Sequence, residues 1–244
     1  MVTGYLFILQ VMKNVVLAST STLHGETYLS YLLPVIRELF AGVPEVIFIP
    51  YARPGGISHD EYTEKVAAVF ATAGLKVRGL HTFDDPAEAI RNGAGFFTGG
   101  GNTFLLVKQL HELQLMDVLR WEVEKGKPYL GTSAGSNIGG VNMQTTNDMP
   151  IVYPPSFQTM GLVPFNLNPH YLDPIPDLPH MGETRETRIR EFQEQQDLTV
   201  VGLREGSWIR VRASKITLEG SVPARIFQRG KAAYELEIGE EIIF

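Results

Sequence analysis

The sequence predicts an α/β fold: a single domain with a mostly parallel central sheet flanked by helices, followed by antiparallel strands at its C-terminal end. Three observations carry this. Short apolar runs alternate with stretches of helical period through the first half of the chain. Two of those runs end in glycine-rich turns, as strands do where an open parallel sheet carries its sites. Past the second turn the helical period fades into short β-rich runs punctuated by Gly and Pro.

Asn14 to Ala18 reads as the first strand, and Tyr28 to Phe40 as a helix with Leu29, Leu32, Leu33, Ile36 and Leu39 on one face. Val46 to Ile49 is a buried strand ending at Pro50. Ser58 and Glu61 have capping-box spacing ahead of a helix running to Ala73, and Lys76 to Leu80 is the next strand. Asp84-Asp85-Pro86 opens a short helix. Gly95 to Thr98 is a strand that runs straight into Gly99-Gly100-Gly101-Asn102, after which Phe104 to His111 and Met116 to Lys125 read as helices. These lead to the strand Tyr129-Leu130 and the turn Gly131-Thr132-Ser133-Ala134-Gly135. The proline-rich stretch Asn142 to Pro179 has no helical period and predicts loops and short strands draped over a site. Glu183 to Gln196 is a polar helix, Leu198 to Leu203 a strand, and the tail from Trp208 through Lys215–Leu218 and Ala224–Phe227 reads as antiparallel strands.

Composition narrows the function classes. With 244 residues, 44% hydrophobic and 20% charged, the chain has the make-up of an ordinary soluble domain with one sizeable core. A net charge of -6 argues against nucleic acid and anionic membrane as partners, which leaves small molecules and peptides. There are no cysteines, so disulfides, thiolate catalysis and Cys-based metal sites are excluded together. No H-E-x-x-H and no paired histidines at helical spacing suggest a metal, and no cofactor is expected. Residues 1–11 are apolar but lack a basic n-region and fall far short of the roughly 20 residues that span a bilayer. With Met12-Lys13 offering a second start, 1–11 is read as an extension of uncertain role, 12–244 as the domain, and the location as cytoplasmic.

Gly131-x-Ser133-x-Gly135 has the G-x-S-x-G spacing of a nucleophile elbow, where a serine on a sharp strand-to-helix turn brings its neighbours against other backbone. Chance alone produces that spacing in about one chain of this length in ten, so its surroundings must decide. Gly99 to Asn102 fits neither the P-loop nor the dinucleotide pattern. Beside an elbow, the N–H groups of Gly100 and Gly101, joined by that of Ala134, suit an oxyanion hole; a purely structural turn is the competing reading. A serine hydroxyl also needs a base. Of six histidines, His170 and His180 lie in the irregular covering region, and His170, following the apolar stretch Met160 to Phe165, is the better anchored. Asp148, in a polar turn, and Glu205, at a strand end, are the best placed carboxylates to hold the imidazole; ordinary turn roles compete for both.

Taken together, Val16-Leu-Ala-Ser-Thr-Ser21, Gly99-Gly-Gly-Asn-Thr-Phe104, Gly131-Thr-Ser-Ala-Gly135, Thr145-Thr-Asn-Asp-Met-Pro-Ile151, Asn168-Pro-His170 and Gly182-Glu-Thr-Arg-Glu-Thr-Arg-Ile-Arg-Glu191 resemble the peptidase E family, the α-aspartyl dipeptidases among serine peptidases. The resemblance runs from about Met12 to Trp208. It implies a sheet of flavodoxin-like or class I glutamine-amidotransferase-like type and metal-independent, cytosolic hydrolysis of dipeptides with N-terminal aspartate, by a monomer or small homo-oligomer. It implies Ser133 as nucleophile, His170 as base and Glu205 as the direct acid, with Asp148 kept in the set. It also implies Arg185 as partner of the substrate's aspartate side chain, a carboxylate that a guanidinium binds bidentately. Asn102 and Thr132 complete the expected substrate-binding set. Thr132 departs from the family, whose members often carry tryptophan there. A cyanophycinase-like or isoaspartyl serine hydrolase, and a noncatalytic small-molecule binding module, are the alternatives.

Overall fold

The computed structural model describes residues 12–174 and 182–243; the N-terminal stretch 1–11 and His180 lie outside the described residues. Eleven described strands run in chain order: β1 (Asn14–Ala18), β2 (Glu45–Ile49), β3 (Lys76–Gly79), β4 (Phe96–Thr98), β5 (Tyr129–Thr132), β6 (Asn166–Pro169), β7 (Val200–Leu203), β8 (Ser207–Arg212), β9 (Lys215–Gly220), β10 (Ala224–Phe227) and β11 (Tyr234–Leu236). They form two sheets. A seven-stranded sheet has the order β3-β2-β4-β5-β1-β8-β9, in which β3, β2, β4, β5 and β1 are parallel and β8 and β9 antiparallel. A four-stranded sheet has the order β11-β10-β7-β6, with β6 parallel to β7.

The inner strands read as unbroken apolar runs because both their faces are covered. Val15, Leu17, Ile47, Ile49, Phe96 and Tyr129 point to one core, and the intervening Val16, Ala18, Val46, Phe48, Phe97 and Leu130 to another. The second core is closed by α1 (Leu33–Leu39) and α2 (His59–Ala71). On the opposite face lie α3 (Pro86–Asn92), α4 (Thr103–Glu112), α5 (Met116–Glu124) and the one-turn α6 (Ala134–Asn137), together with the small sheet. That sheet is covered in turn by α7 (Arg185–Gln195), whose Ile189 packs with Tyr171, Val200 and Phe227.

The expected α/β class and parallel core are present, and the capping box at α2 is formed on both sides: Ser58 Oγ accepts from Glu61 N, and Glu61 accepts from Ser58 N. Three local expectations shift. The helix expected over 28–40 is a short 3-10 turn at Ser30–Leu32 followed by α1, because Leu29 adopts a left-handed φ of 58° and Pro34 favours a new helix start. The third strand stops at Gly79, and Leu80–Thr82 winds as a 3-10 turn. The strand-like stretch Met160 to Phe165 buries Met160, Leu162, Val163 and Phe165 but is not a strand; the strand begins at Asn166. The expected antiparallel tail strands are present and divide between the two sheets: β8 pairs onto β1 and β9 onto β8, while β10 and β11 pair beside β7 in the small sheet.

Crossing from β5 into α6 demands close backbone approach. A Cβ on Gly131 would stand 2.3 Å from the Gly135 carbonyl oxygen, and one on Gly135 would stand 2.1 Å from that of Thr98. Gly135→Ala is therefore expected to destabilise the fold by about 3 kcal/mol, since neither backbone can move without breaking β4–β5 pairing; urea unfolding measures this, and a shift under about 0.5 kcal/mol would mean the turn relaxes freely.

Candidate active site

The carboxyl ends of the parallel strands of both sheets meet at one crevice. From the large sheet come Ser19 after β1, the Gly99–Gly101 turn after β4 and Ser133 after β5; from the small sheet come His170 after β6 and Glu205 after β7. Ser133 sits at φ 53°, ψ −111°, between a strand that ends at Thr132 and the first residue of α6. Its amide donates to Ala18 O (3.1 Å), and Ser136 Oγ donates to Ala18 O and Gly131 O (2.7 and 2.9 Å), which pins the turn to β1. The hydroxyl is left free to face His170.

His170 Nε2 lies 2.9 Å from Ser133 Oγ and Nδ1 lies 2.6 Å from Glu205 Oε1. With the Nδ1 proton on the carboxylate side, Nε2 is the acceptor for the serine proton, the tautomer that base catalysis requires. His170 itself is left-handed at φ 55°, and a brace holds it there. Asn168 Nδ2 donates to Thr145 O and Asn147 Oδ1, Thr145 Oγ1 donates to Leu167 O, and Asn147 Nδ2 donates to Pro169 O. Glu205 is positioned by its neighbour Arg204, whose guanidinium binds both Asp173 oxygens, Glu235 and Pro223 O. Those hydrogen bonds hold the carboxyls of Asp173 and Glu235 below their usual pKa.

Ser19 joins the two halves. Fully buried, its Oγ donates to Leu203 O (2.7 Å) and accepts from His170 N (2.9 Å), while its own amide donates to Ser207 O (3.1 Å). Sequence reasoning gave Ser19 no role. The available signal was a polar residue directly after the apolar run of β1, where a solvent-facing turn residue is the ordinary interpretation.

Gly100 lies against Ser133, close enough that an added Cβ would be 3.1 Å from the serine Cβ. The amides of Gly100, Gly101 and Ala134 have no hydrogen-bond acceptor among the described residues. Asp148 is not brought to His170, whose two ring nitrogens are already taken; its carboxylate accepts from Thr103 N (2.7 Å) and Thr146 Oγ1 (3.1 Å) and so caps α4. Asn102 is the N-cap of α4, accepting from Leu105 N and donating to Met149 O. Thr132 is fully buried at the end of β5, with its hydroxyl unpartnered among the described residues. Arg185 opens α7, half-buried and without an ion-pair partner among the described residues. Burial and Arg188 lower its pKa, and Asp148 opposes them. Among the described residues no group of three His, Asp or Glu side chains is arranged to hold a metal, and no helix is long and apolar enough to cross a membrane.

The model of peptidase family S51 matches residues 15–219. Peptidase E of Streptomyces coelicolor is 46% identical over 229 residues, 94% of this chain and 93% of the relative. A probable alpha-aspartyl dipeptidase of Drosophila melanogaster is 44% identical over 227 residues, 92% of this chain and 93% of the relative. Among solved structures, a peptidase from an acI-B1 actinobacterium (TM-score 0.70, 17% identity, 98% of this chain and 100% of that one) and a putative peptidase E from Listeria monocytogenes (TM-score 0.65, 23% identity, 86% and 100%) share the fold.

If Ser19 sets the distance between imidazole and serine, Ser19→Ala is expected to slow labelling of Ser133 by a fluorophosphonate about tenfold or more, because small misplacements of a base are costly. An unchanged labelling rate in the folded variant would remove Ser19 from the site's framework.

Proposed function

The chain belongs to peptidase family S51, and from that membership we propose that it is a serine-type dipeptidase releasing N-terminal aspartate from Asp-X dipeptides. The observation that carries the proposal is the imidazole of His170 bonded at once to Ser133 and Glu205. His170 Nε2 takes the hydroxyl proton as Ser133 Oγ attacks the aspartyl carbonyl carbon. Glu205 holds the Nδ1 proton and stabilises the imidazolium. The tetrahedral oxyanion is received by the amides of Gly100, Gly101 and Ala134. As the C–N bond breaks, the imidazolium returns its proton to the departing amine of X. A water then loses a proton to His170, attacks the aspartyl ester, and aspartate leaves with Ser133 restored.

Selectivity for aspartate is assigned to Arg185. Support comes from its charge without an ion-pair partner among the described residues, and from the Drosophila relative's designation as a probable alpha-aspartyl dipeptidase. Asp148 and Asn102, which cap α4, shape the site rather than act in it. Action in the cytoplasm on small peptides, away from nucleic acid and membrane, completes the reading and suits a net charge of -6.

A panel of X-Leu dipeptides, assayed with and without chelator, tests the activity: Asp-Leu should be cleaved well ahead of Ala-Leu and Asn-Leu, equally in both conditions. Ser133→Ala is expected to lower kcat on Asp-Leu about 10⁴-fold or more while the fold persists, and near-normal turnover would show that another group is the nucleophile. Arg185→Met should cut kcat/KM for Asp-Leu about 100-fold and leave Ala-Leu within a few-fold; equal losses on both would sever Arg185 from side-chain recognition.

A further inference from the structure

An Asp-X dipeptide brings two carboxylates and one ammonium to the crevice, and the reading above supplies a cation for only one carboxylate. Arg204 is not available for the other, because Asp173 and Glu235 already occupy its guanidinium. One further arginine stands at the same end of the sheet. Arg53 follows Tyr51-Ala52 just beyond β2, next to the strand that ends in the Gly99–Gly101 turn.

Its backbone is locked to that turn. Ala52 O accepts from Asn102 N (2.7 Å), and a Cβ on Gly101 would stand 2.2 Å from the same oxygen. Its side chain is held as well: the guanidinium carbon lies 5.0 Å from the centre of the Tyr62 ring, and the Tyr62 hydroxyl donates to Gly100 O at 3.2 Å. Gly100 in turn rests on Ser133. A continuous chain of contacts thus runs from Arg53 through Tyr62 and Gly100 to the proposed nucleophile. Arg53 nevertheless makes no hydrogen bond or ion pair among the described residues, and its Nε is shielded from solvent without an acceptor. A half-buried guanidinium on an aromatic shelf, with a donor edge unsatisfied, is arranged to receive a planar anion.

We propose that Arg53 is a second carboxylate-binding position of the crevice, pairing with the substrate carboxylate that Arg185 leaves unmet; this rests on the Asp-X reading. With Arg185 taking the aspartyl side chain, the partner of Arg53 is the C-terminal carboxylate of X. Lys65, exposed on α2 over the ring of Tyr28 (4.6 Å), is a neighbouring cation without this placement and serves as a control.

The test compares kcat/KM for Asp-Leu, Asp-Leu amide and Asn-Leu in the unmodified enzyme, Arg53→Gln and Lys65→Gln. Arg53→Gln is expected to lose about tenfold or more of the preference for Asp-Leu over Asp-Leu amide while keeping that over Asn-Leu. Lys65→Gln should keep both preferences. An intact preference over the amide in Arg53→Gln would overturn the proposal. Should that variant not fold, Arg53→Lys decides in the same way, since it keeps the charge but loses the bidentate fork. Should the unmodified enzyme cleave none of the three, the Asp-X reading fails, and protection of Ser133 from fluorophosphonate by succinate decides the role of Arg53 on its own. A tenfold or greater rise in the succinate needed by Arg53→Gln, on the order expected for a lost charged contact, supports it; no protection of the unmodified enzyme, or equal protection of both, overturns it.

Discussion

A single buried hydroxyl, that of Ser19, ties the seven-stranded sheet to the four-stranded one where their parallel strands end. The oxygen donates to the last residue of β7 and accepts from the first residue after β6, while the peptide before it, at Ala18, accepts the amide of Ser133. One residue therefore sets the spacing of three side chains that come from three strands and two sheets. Hydrogen bonds of this kind contribute only about 1 kcal/mol each to stability, but in a buried position they leave little freedom for slippage.

That constraint matters because two of the three groups sit in backbone conformations that cost free energy. Ser133 at φ 53° and His170 at φ 55° are each disfavoured by about 1–3 kcal/mol and persist only where surroundings over-determine them. For Ser133 the surroundings are Gly131 and Gly135, which let the turn close against β4, and Ser136, which bonds across to β1. For His170 they are Ser19 and the Thr145–Asn147 loop, which reproduces along β6 the hydrogen bonds that a neighbouring strand would otherwise supply. The polar motif around Asp148 thus belongs to the scaffold: its carboxylate closes the N-terminus of α4, the helix that follows the glycine turn.

Charge is distributed by the same logic. The net charge of -6 would repel an acidic dipeptide, so cations must be local and uncommitted. Arg204, Arg210 and Arg212 are engaged by Asp173, Glu235, Glu38 and Glu219, where they hold turns and strand edges together. Arg53 and Arg185 carry no such engagement among the described residues. The division separates guanidinium groups with structural partners from those with donors to offer.

Much of the architecture was legible from residue order. Alternating apolar runs and helical periods specify a parallel core because strands covered on both faces must be apolar throughout, and the elbow was legible because only glycine permits a backbone approach of the kind seen at Gly131 and Gly135. His170 was readable as a candidate from its place in the covering region after an apolar stretch, and Glu205 from its place at a strand end. Which carboxylate meets the imidazole was favoured only by the family resemblance, since Asp148 and Glu205 both lie in turns, and their distances to His170 depend on how two sheets dock rather than on local spacing. Nor did local pattern separate the tail strands into two sheets, because β8 and β10 have similar propensities and pairing is chosen by the edges available. Sequence by itself determined most of the elements, the elbow and the inventory of reactive side chains, which follow from short-range sterics and periodicity. The tertiary structure decided that Ser19 bridges the sheets, that the imidazole of His170 meets Ser133 and Glu205 at once, and that Arg53 is unpaired among the described residues, because each depends on atoms far apart in the chain.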